Sequence, residues 1–120
     1  MEESFYFVEQ NGGRGMTGTY EHSIDNAGRL IVPSKLRDKL GSAFYLAVGV
    51  KENLTLYPME TWDKLRQRVS ELSTTDAAAM DLFFASAQLC EADKQWRFQI
   101  PSYLKDYAKI DKDVVVTGNN

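Results

Sequence analysis

Short apolar runs, rich in β-branched and aromatic residues and separated by turn residues, recur along this chain, and they predict short β-strands rather than long helices. The strand candidates are residues 20–24, 30–32, 44–48, 54–57, 89–92, 97–100 and 114–117. Short helices are predicted at 33–40 and 101–108, because each begins with a proline, which fits the first position of a helix. The pattern predicts a mainly β fold of the α+β class with short helices.

Two stretches in the middle of the chain carry apolar residues at helical spacing. The first contains Trp62, Leu65, Val69 and Leu72, and the second contains Met80, Phe83, Phe84 and Ala87. Ser73, Thr74 and Thr75 separate them and offer side-chain oxygens that can cap a helix. We expect two helices here, whose aromatic stripe belongs to the core or to a subunit interface rather than to a ligand pocket.

An aspartate, an arginine and a proline recur with the same spacing in two parts of the chain. Asp25, Arg29 and Pro33 return 68 residues later as Asp93, Arg97 and Pro101. A unit that packs against its own copy builds a pseudo-symmetric fold. We therefore predict one pseudo-twofold domain at residues 16–120, with repeat one at 16–58, a helical connector at 59–87 and repeat two at 88–120.

Both ends of the chain depart from this repeat. Residues 5–8 could form a short strand, but the glycine-rich run 11–15 predicts a flexible break, so we interpret residues 1–15 as an extension. Repeat two has no counterpart of the strand at 54–57. The last strand is therefore predicted to be missing, which leaves a sheet edge that a partner subunit could cover.

Composition limits the function classes. At 120 residues the chain can form one domain with its own core. A net charge of −3 and a pI of about 5.1 disfavour a globally basic nucleic-acid-binding domain. Basic residues nevertheless gather locally, at Arg29, Lys35, Arg37 and Lys39. No apolar run reaches the length of a membrane helix and no apolar leader opens the chain, so we expect a cytoplasmic protein.

The two Asp-x-x-x-Arg pairs are the sharpest chemical feature. Asp25 can accept hydrogen bonds from the amides of a β-turn that Gly28 completes, and Arg29 then starts the next strand. The donor fork of arginine suits phosphate or guanine edges, so Arg29 and Arg97 are candidate DNA-binding residues. A structural ion pair that holds the turn is the alternative, and repetition of the pair at Asp93 does not decide between them.

Lys35 and Arg37 are further candidates, because they lie on the short helix after the first turn. They could contact phosphates, which position a protein on DNA without reading its sequence. The alternative is an ordinary solvated face. In the equivalent helix of repeat two only Lys105 remains basic, so the second repeat is less suited to DNA.

The sequence gives no support to an enzyme. It contains one histidine, His22, and one cysteine, Cys90, which excludes an internal disulfide and leaves too few ligands for a usual zinc site. No glycine loop for phosphates and no nucleophile elbow is present. We predict neither a metal nor a cofactor.

Three segments resemble the MraZ family of bacterial transcriptional regulators. They are Met16-Thr17-Gly18-Thr19-Tyr20-Glu21-His22-Ser23-Ile24-Asp25-Asn26-Ala27-Gly28-Arg29-Leu30-Ile31-Val32-Pro33, Leu54-Thr55-Leu56-Tyr57-Pro58-Met59-Glu60-Thr61-Trp62 and Asp93-Lys94-Gln95-Trp96-Arg97. The resemblance implies an AbrB-like swapped-hairpin β-barrel made from two repeats in one chain. It also implies a ring-like homo-oligomer, associated with the nucleoid, that binds double-stranded DNA at direct repeats in the promoter of the division and cell-wall gene cluster.

The family's functional residues correspond to Asp25, Arg29, Asp93 and Arg97. Repeat two departs from the family at Trp96, where the family usually has glycine. If this position needs a positive φ angle, the second turn is expected to be rebuilt. The resemblance predicts a sequence-specific DNA-binding regulator, and the alternatives are an oligomeric scaffold without DNA binding or a barrel that binds a small ligand.

Overall fold

The computed structural model of the chain describes residues 4–11 and 19–118. The described strands are β1 (Tyr6–Gln10), β2 (Thr19–Ser23), β3 (Arg29–Ile31), β4 (Ala43–Val48), β5 (Leu54–Pro58), β6 (Gln88–Glu91), β7 (Arg97–Gln99) and β8 (Asp113–Gly118). The helices are a 3₁₀ turn at Ser34–Leu36, α1 (Arg37–Leu40), α2 (Met59–Ser70), α3 (Thr74–Ala79), α4 (Asp81–Ser86) and α5 (Ser102–Tyr107). The expected α+β class, with short strands and short helices, is confirmed.

The two repeats exchange strands with each other. A six-stranded sheet has the order β2-β8-β1-β5-β4-β6, and β3 pairs with β7 in a second, two-stranded sheet. Strand β2 of repeat one pairs with β8 of repeat two, and β6 of repeat two pairs with β4 of repeat one. This is the swapped-hairpin arrangement, and it joins the two repeats into one folded unit.

Both sheets pack on one apolar core. Phe44 of β4 and Phe98 of β7 meet edge to face with ring centroids 5.0 Å apart, and both side chains are buried. Leu30 lies opposite Phe98 in the β3–β7 pair and is also fully buried. Because each large apolar side chain contributes about 1.5–3 kcal/mol when buried, this shared core fixes the two-stranded sheet that carries both Asp-x-x-x-Arg turns.

Strand β1 departs from the interpretation of residues 1–15 as an extension. It lies between β8 and β5 and pairs antiparallel with both, and its Tyr6 and Val8 side chains are buried. The order of the sheet reads the same from either edge when β1 is matched with β5. Residues 6–10 therefore fill the position in which the second repeat was predicted to lack a strand.

Three described helices, rather than the two predicted, lie between the repeats. The second predicted helix is divided at Met80, which ends α3 and immediately precedes α4. Ser73 caps α3 as predicted, since its hydroxyl accepts a hydrogen bond from the Asp76 amide at 3.2 Å. Trp62 of α2 is buried and stacks on Tyr45 of β4 with ring centroids 4.5 Å apart. This part of the aromatic stripe therefore belongs to the core.

Some sequence predictions fall on residues outside those described. They concern residues 12–15 of the glycine-rich break and residues 16–18 at the start of the MraZ-like segment. The predicted strand at 114–117 lies within the described residues, as part of β8.

Candidate nucleic-acid interface

The first turn is held together by Asp25. Its Oδ1 atom accepts hydrogen bonds from the backbone amides of Ala27, at 3.0 Å, and Arg29, at 2.8 Å. The Gly28 amide donates to the Asp25 carbonyl oxygen at 3.0 Å and closes the turn. The bond from the Arg29 amide is the main reason why the pKa of the Asp25 carboxyl lies below its usual value. Asp25 is therefore ionised at neutral pH and available to an arginine.

Gly28 has a conformation that disfavours a side chain and a neighbour that would have to move to admit one. Its φ angle is 81°, in the left-handed region that glycine enters without steric cost. A Cβ atom at this position would lie 2.7 Å from Nε2 of Gln99. That amide comes from β7 of the other repeat and donates to the Ala27 carbonyl oxygen at 2.8 Å. The first turn is thus supported by the second repeat.

Arg29 combines an ion pair with an accessible guanidinium. Its Nε donates to Oδ2 of Asp25 at 3.0 Å, and the two side chains remain 41% and 34% exposed. Among the described residues, no group accepts a hydrogen bond from the Nη atoms of Arg29. The structural ion pair that was considered as an alternative is present, but it engages one edge of the guanidinium. The other N–H donors of Arg29 can bind an anion, and the ion pair with Asp25 orients them.

The second turn keeps the geometry of the first. Oδ1 of Asp93 accepts hydrogen bonds from the amides of Gln95, at 2.8 Å, and Arg97, at 2.9 Å. The amide of Trp96 donates to the Asp93 carbonyl oxygen at 3.0 Å, as Gly28 does to Asp25. Trp96 itself has a φ angle of 62°. The expected rebuilding of this turn does not occur, and the tryptophan adopts the glycine conformation.

Arg97 differs from Arg29 in its partner. Its Nη1 donates to the side-chain carbonyl oxygen of Gln95, a residue of the same turn. The Asp93 carboxylate receives backbone amides, and the amide of Arg97 is the main cause of its lowered pKa. The second guanidinium is therefore turned toward its own loop and lacks the carboxylate-guided orientation of Arg29.

The antiparallel pairing of β3 with β7 places the two turns at the two ends of one short ribbon. Arg29 lies opposite Gln99, and Ile31 lies opposite Arg97. The turns are close enough that the positive charge of Arg29 adds to the lowering of the Asp93 pKa. Both predicted Asp-x-x-x-Arg pairs therefore belong to one surface, which we call the paired-turn surface: residues 25–29 and 93–97.

The two predicted helix residues have different environments. Lys35 is exposed in the 3₁₀ turn that follows β3. Arg37 is half-buried, with Nε donating to the Val32 carbonyl oxygen at 3.0 Å and the guanidinium 5.3 Å from the ring centre of Trp96. Such a cation–π contact contributes about 0.5–1 kcal/mol at an exposed site. Lys35 is free to reach a phosphate, whereas Arg37 is held beside the second turn.

Several contacts at this surface were missed by the sequence analysis. Gln99 supports the first turn from the other repeat, Gln95 holds Arg97, and Trp96 lies under Arg37. The available signal was the exchange of glycine for tryptophan between the copies, since a large ring at a turn needs a neighbour. The partner could not be named because it comes from the other repeat.

His22 and Cys90 lie on strands at opposite edges of the six-stranded sheet. His22 lies on β2, and burial followed by the charge of Arg37 lowers its pKa. Burial raises the pKa of the Cys90 thiol to about 12, which keeps it uncharged. Within residues 4–11 and 19–118, no cluster of three histidine, cysteine, aspartate or glutamate side chains could hold a metal ion. None of the described helices is long and apolar enough to cross a membrane.

Comparison with known proteins identifies the duplicated pattern. A family model described as "MraZ protein, putative antitoxin-like" matches residues 16–82 and matches again at residues 83–120. The two matches meet between Leu82 and Phe83, and their number agrees with a two-repeat chain.

Several relatives match this chain over most of their own length. A protein named transcriptional regulator MraZ from Caldanaerobacter subterraneus subsp. tengcongensis is 43% identical over 106 residues, which are 86% of this chain and 74% of the relative. A protein of the same name from Natranaerobius thermophilus is 44% identical over 104 residues, 84% of this chain and 73% of the relative. The one from Moorella thermoacetica is 41% identical over the same shares of both chains.

Proposed function

Because the chain belongs to the MraZ family, we propose that it is a transcriptional regulator that binds double-stranded DNA through the paired-turn surface. It acts as a homo-oligomer on repeated promoter sites, those of the division and cell-wall gene cluster, in the cytoplasm at the nucleoid. The relatives' name supports regulation of transcription. The geometry of individual residues supports the DNA-binding roles that we assign to them.

The observation that carries the proposal is the exposed Arg29 guanidinium held by Asp25. A planar guanidinium offers paired donors to phosphate oxygens or to O6 and N7 of guanine. Its Nε is already bonded to Asp25 at 3.0 Å, which restricts rotation of the side chain before DNA arrives. Less conformational entropy is then lost on binding. We assign base or phosphate recognition mainly to Arg29.

Lys35 and Arg97 add charge around this centre. Lys35 is exposed in the 3₁₀ turn after β3 and supplies a phosphate contact, which positions the protein without reading sequence. Arg97 contributes after leaving the side chain of Gln95, so its contribution is smaller than that of Arg29. Arg37 acts indirectly, by supporting Trp96 and hence the second turn.

Several copies are needed because one copy is a weak binder. A module with few phosphate contacts binds non-specific DNA with a Kd of about 10⁻⁴–10⁻⁶ M, and the net charge of −3 works against tighter binding. Two linked modules on two properly spaced sites gain affinity on the order of 10²–10⁴. Oligomerisation thereby favours DNA that carries repeated sites over single sites.

The test compares Arg29→Ala with the unmodified chain on a promoter fragment that carries the direct repeats. One bidentate arginine contact discriminates by about 1–3 kcal/mol, so we expect the variant to lose roughly 5- to 150-fold in affinity per engaged site. Native mass should stay unchanged. Arg66→Ala is the matched control, because it removes the same charge from an exposed position on α2, outside the paired-turn surface.

The titration is repeated at two salt concentrations. Affinity that falls as salt rises supports phosphate contacts, because bound counterions are released from DNA. Equal affinities of Arg29→Ala and Arg66→Ala would contradict the assignment of Arg29. A protein that self-associates at both salt concentrations without any DNA affinity would instead be an oligomeric scaffold.

A further inference from the structure

The ribbon formed by β3 and β7 presents both arginines on one outward face. Leu30 lies opposite Phe98, and both side chains are buried in the core. Successive residues of a strand point to opposite faces, so the neighbouring Arg29 and Arg97 project away from the core. The two arginines are 68 positions apart, as are Leu30 and Phe98. A pseudo-twofold axis therefore passes between Leu30 and Phe98 and relates one arginine to the other.

This symmetry is broken by the way in which each arginine is held. Two identical turns would contact two half-sites related by inversion, because the symmetry of an operator mirrors that of its protein. In the first turn, Nε of Arg29 donates to Oδ2 of Asp25 at 3.0 Å. In the second turn, Nη1 of Arg97 donates to the side chain of Gln95 instead. Only the first end of the ribbon therefore presents an arginine that a carboxylate orients.

The tips of the two turns differ in charge. In each turn the amide of the fourth residue bonds to the carbonyl oxygen of the aspartate, so the second and third residues form the tip. These are Asn26 and Ala27 in the first turn, and Lys94 and Gln95 in the second. Lys94 is exposed, and no residue that the structure describes forms an ion pair with it. A cation therefore lies at the tip of the second turn only.

The exchange of strands also places the basic helix of repeat one beside the turn of repeat two. The Val32 amide, just after β3, donates to the Trp96 carbonyl oxygen at 2.7 Å, so residues 34–40 begin beside the second turn. They carry three basic side chains and one acidic side chain. The equivalent bond, of 3.0 Å, places α5 beside the first turn, and α5 carries one of each. Helix and tip together make the second end of the ribbon the more cationic one.

We propose that the two ends of the ribbon divide DNA recognition, with Arg29 contacting bases at the first end and Lys94 contacting the phosphate backbone at the second. The inference rests on the proposed DNA binding and adds Lys94 to the contacting residues. A lysine ammonium is a compact point charge on a flexible stem, which suits phosphate contacts that position a protein without reading sequence. Because the two ends differ, each bound chain has a defined direction on DNA. Chains on direct repeats then all lie in the same orientation.

The test compares Lys94→Ala with Lys51→Ala on the promoter fragment that carries the direct repeats, over a series of salt concentrations. Lys51 is a matched control, since it is exposed in the turn between β4 and β5, outside the paired-turn surface. Each phosphate contact contributes about −0.9 to the slope of log affinity against log salt concentration. We expect Lys94→Ala to make this slope shallower by about 0.9 for each bound chain, and Lys51→Ala to leave it unchanged. Lys94→Arg should keep the original slope, because it retains the charge.

A scan of base substitutions across one repeat separates base contacts from phosphate contacts. Lys94→Ala should lower the affinity for every substituted fragment by the same factor, as expected for a phosphate contact. Arg29→Ala should remove the sensitivity to the bases that the first end contacts. The sensitive positions should form one cluster in the repeat. Two clusters related by inversion would show that both turns contact bases, and would overturn the proposed division.

Failure of this inference can be distinguished from failure of DNA binding. If Arg29→Ala loses affinity while Lys94→Ala and Lys51→Ala give equal slopes, the first turn binds DNA but Lys94 does not contact phosphate. If the unmodified chain binds the fragment at no salt concentration, the proposed function and the inference are both wrong. Circular dichroism checks that each variant is folded. Lys94→Gln repeats the measurement with a longer uncharged side chain if alanine disturbs the turn.

Discussion

Gly28 and Trp96 occupy equivalent positions of the two repeats and share a left-handed backbone conformation, with φ angles of 81° and 62°. In both turns the amides two and four residues after the aspartate donate to its Oδ1 atom, and only the first turn adds a side-chain bond to the carboxylate, from Nε of Arg29. A bulky residue in this region costs about 1–2 kcal/mol. The ring of Trp96 offsets this cost by packing against the core and under Arg37.

We expect Trp96→Gly to be more stable than Trp96→Ala. Both variants lose the ring and its contact with Arg37, but alanine keeps the steric cost of the left-handed conformation. The difference should be about 1 kcal/mol, the usual penalty for a non-glycine residue in this region. Urea unfolding of the two variants measures it. Equal stabilities would mean that the turn relaxes to a negative φ angle once the indole is removed.

Gly28→Ala should lose stability for two reasons. Alanine pays about 1 kcal/mol to adopt the φ angle of 81° that Gly28 has. A Cβ at this position would also lie 2.7 Å from Nε2 of Gln99, so the Gln99 side chain must move away from the Ala27 carbonyl oxygen that it now bonds. Urea unfolding measures the total loss.

Combination with Gln99→Ala tests this interpretation. The alanine removes the clashing amide, so Gly28→Ala should cost less in that background than in the unmodified chain. Such non-additivity is expected for residues in contact. Additive changes in the free energy of unfolding would show that Gln99 does not limit space at the first turn.

Acidification should weaken the fold through the two turn carboxylates. Asp25 and Asp93 have pKa values below the ordinary value near 3.8 because their carboxylates accept backbone amides. The unfolded chain then binds more protons, so their contribution is present above the ordinary pKa and is lost as pH falls through the folded pKa. We expect Asp25→Asn with Asp93→Asn to lose less stability between pH 5 and pH 2 than the unmodified chain, measured by thermal unfolding.

His22 should give a separate pH dependence nearer to neutrality. Burial and the charge of Arg37 lower its pKa from the ordinary 6.5. Because the unfolded chain takes up the proton first, stability should fall as pH drops below 6.5 and level off below the folded pKa. In His22→Gln this step should be absent. If the His22→Gln variant keeps the full fall in stability, another titratable group causes it.

The strands and the doubled turns could be predicted from the sequence because local patterns determine them. Strand β4 was expected at 44–48 and lies at Ala43–Val48, and β5 was expected at 54–57 and lies at Leu54–Pro58. The role of Asp25 as the acceptor for turn amides follows from side-chain length and turn geometry. Family membership was also recognisable, because Asp-x-x-x-Arg occurs twice at a fixed separation.

The features that sequence reasoning did not give depend on contacts between distant segments. Strand β1 has few residues and follows no repeat, so its place between β5 and β8 could not be read from local pattern. The division of one predicted helix at Met80 leaves the apolar spacing nearly unchanged. The stack of Arg37 on Trp96 joins a helix of one repeat to a turn of the other.

Strands β2 and β6 form the two margins of the six-stranded sheet among the described residues, and each runs directly into one of the Asp turns. A neighbouring subunit that lengthened the sheet at either margin would place its own backbone where the chain enters one of these turns. Growth of the sheet and access of a double helix would then compete for the same space. An assembly that keeps DNA bound must join its subunits through the other faces of the molecule.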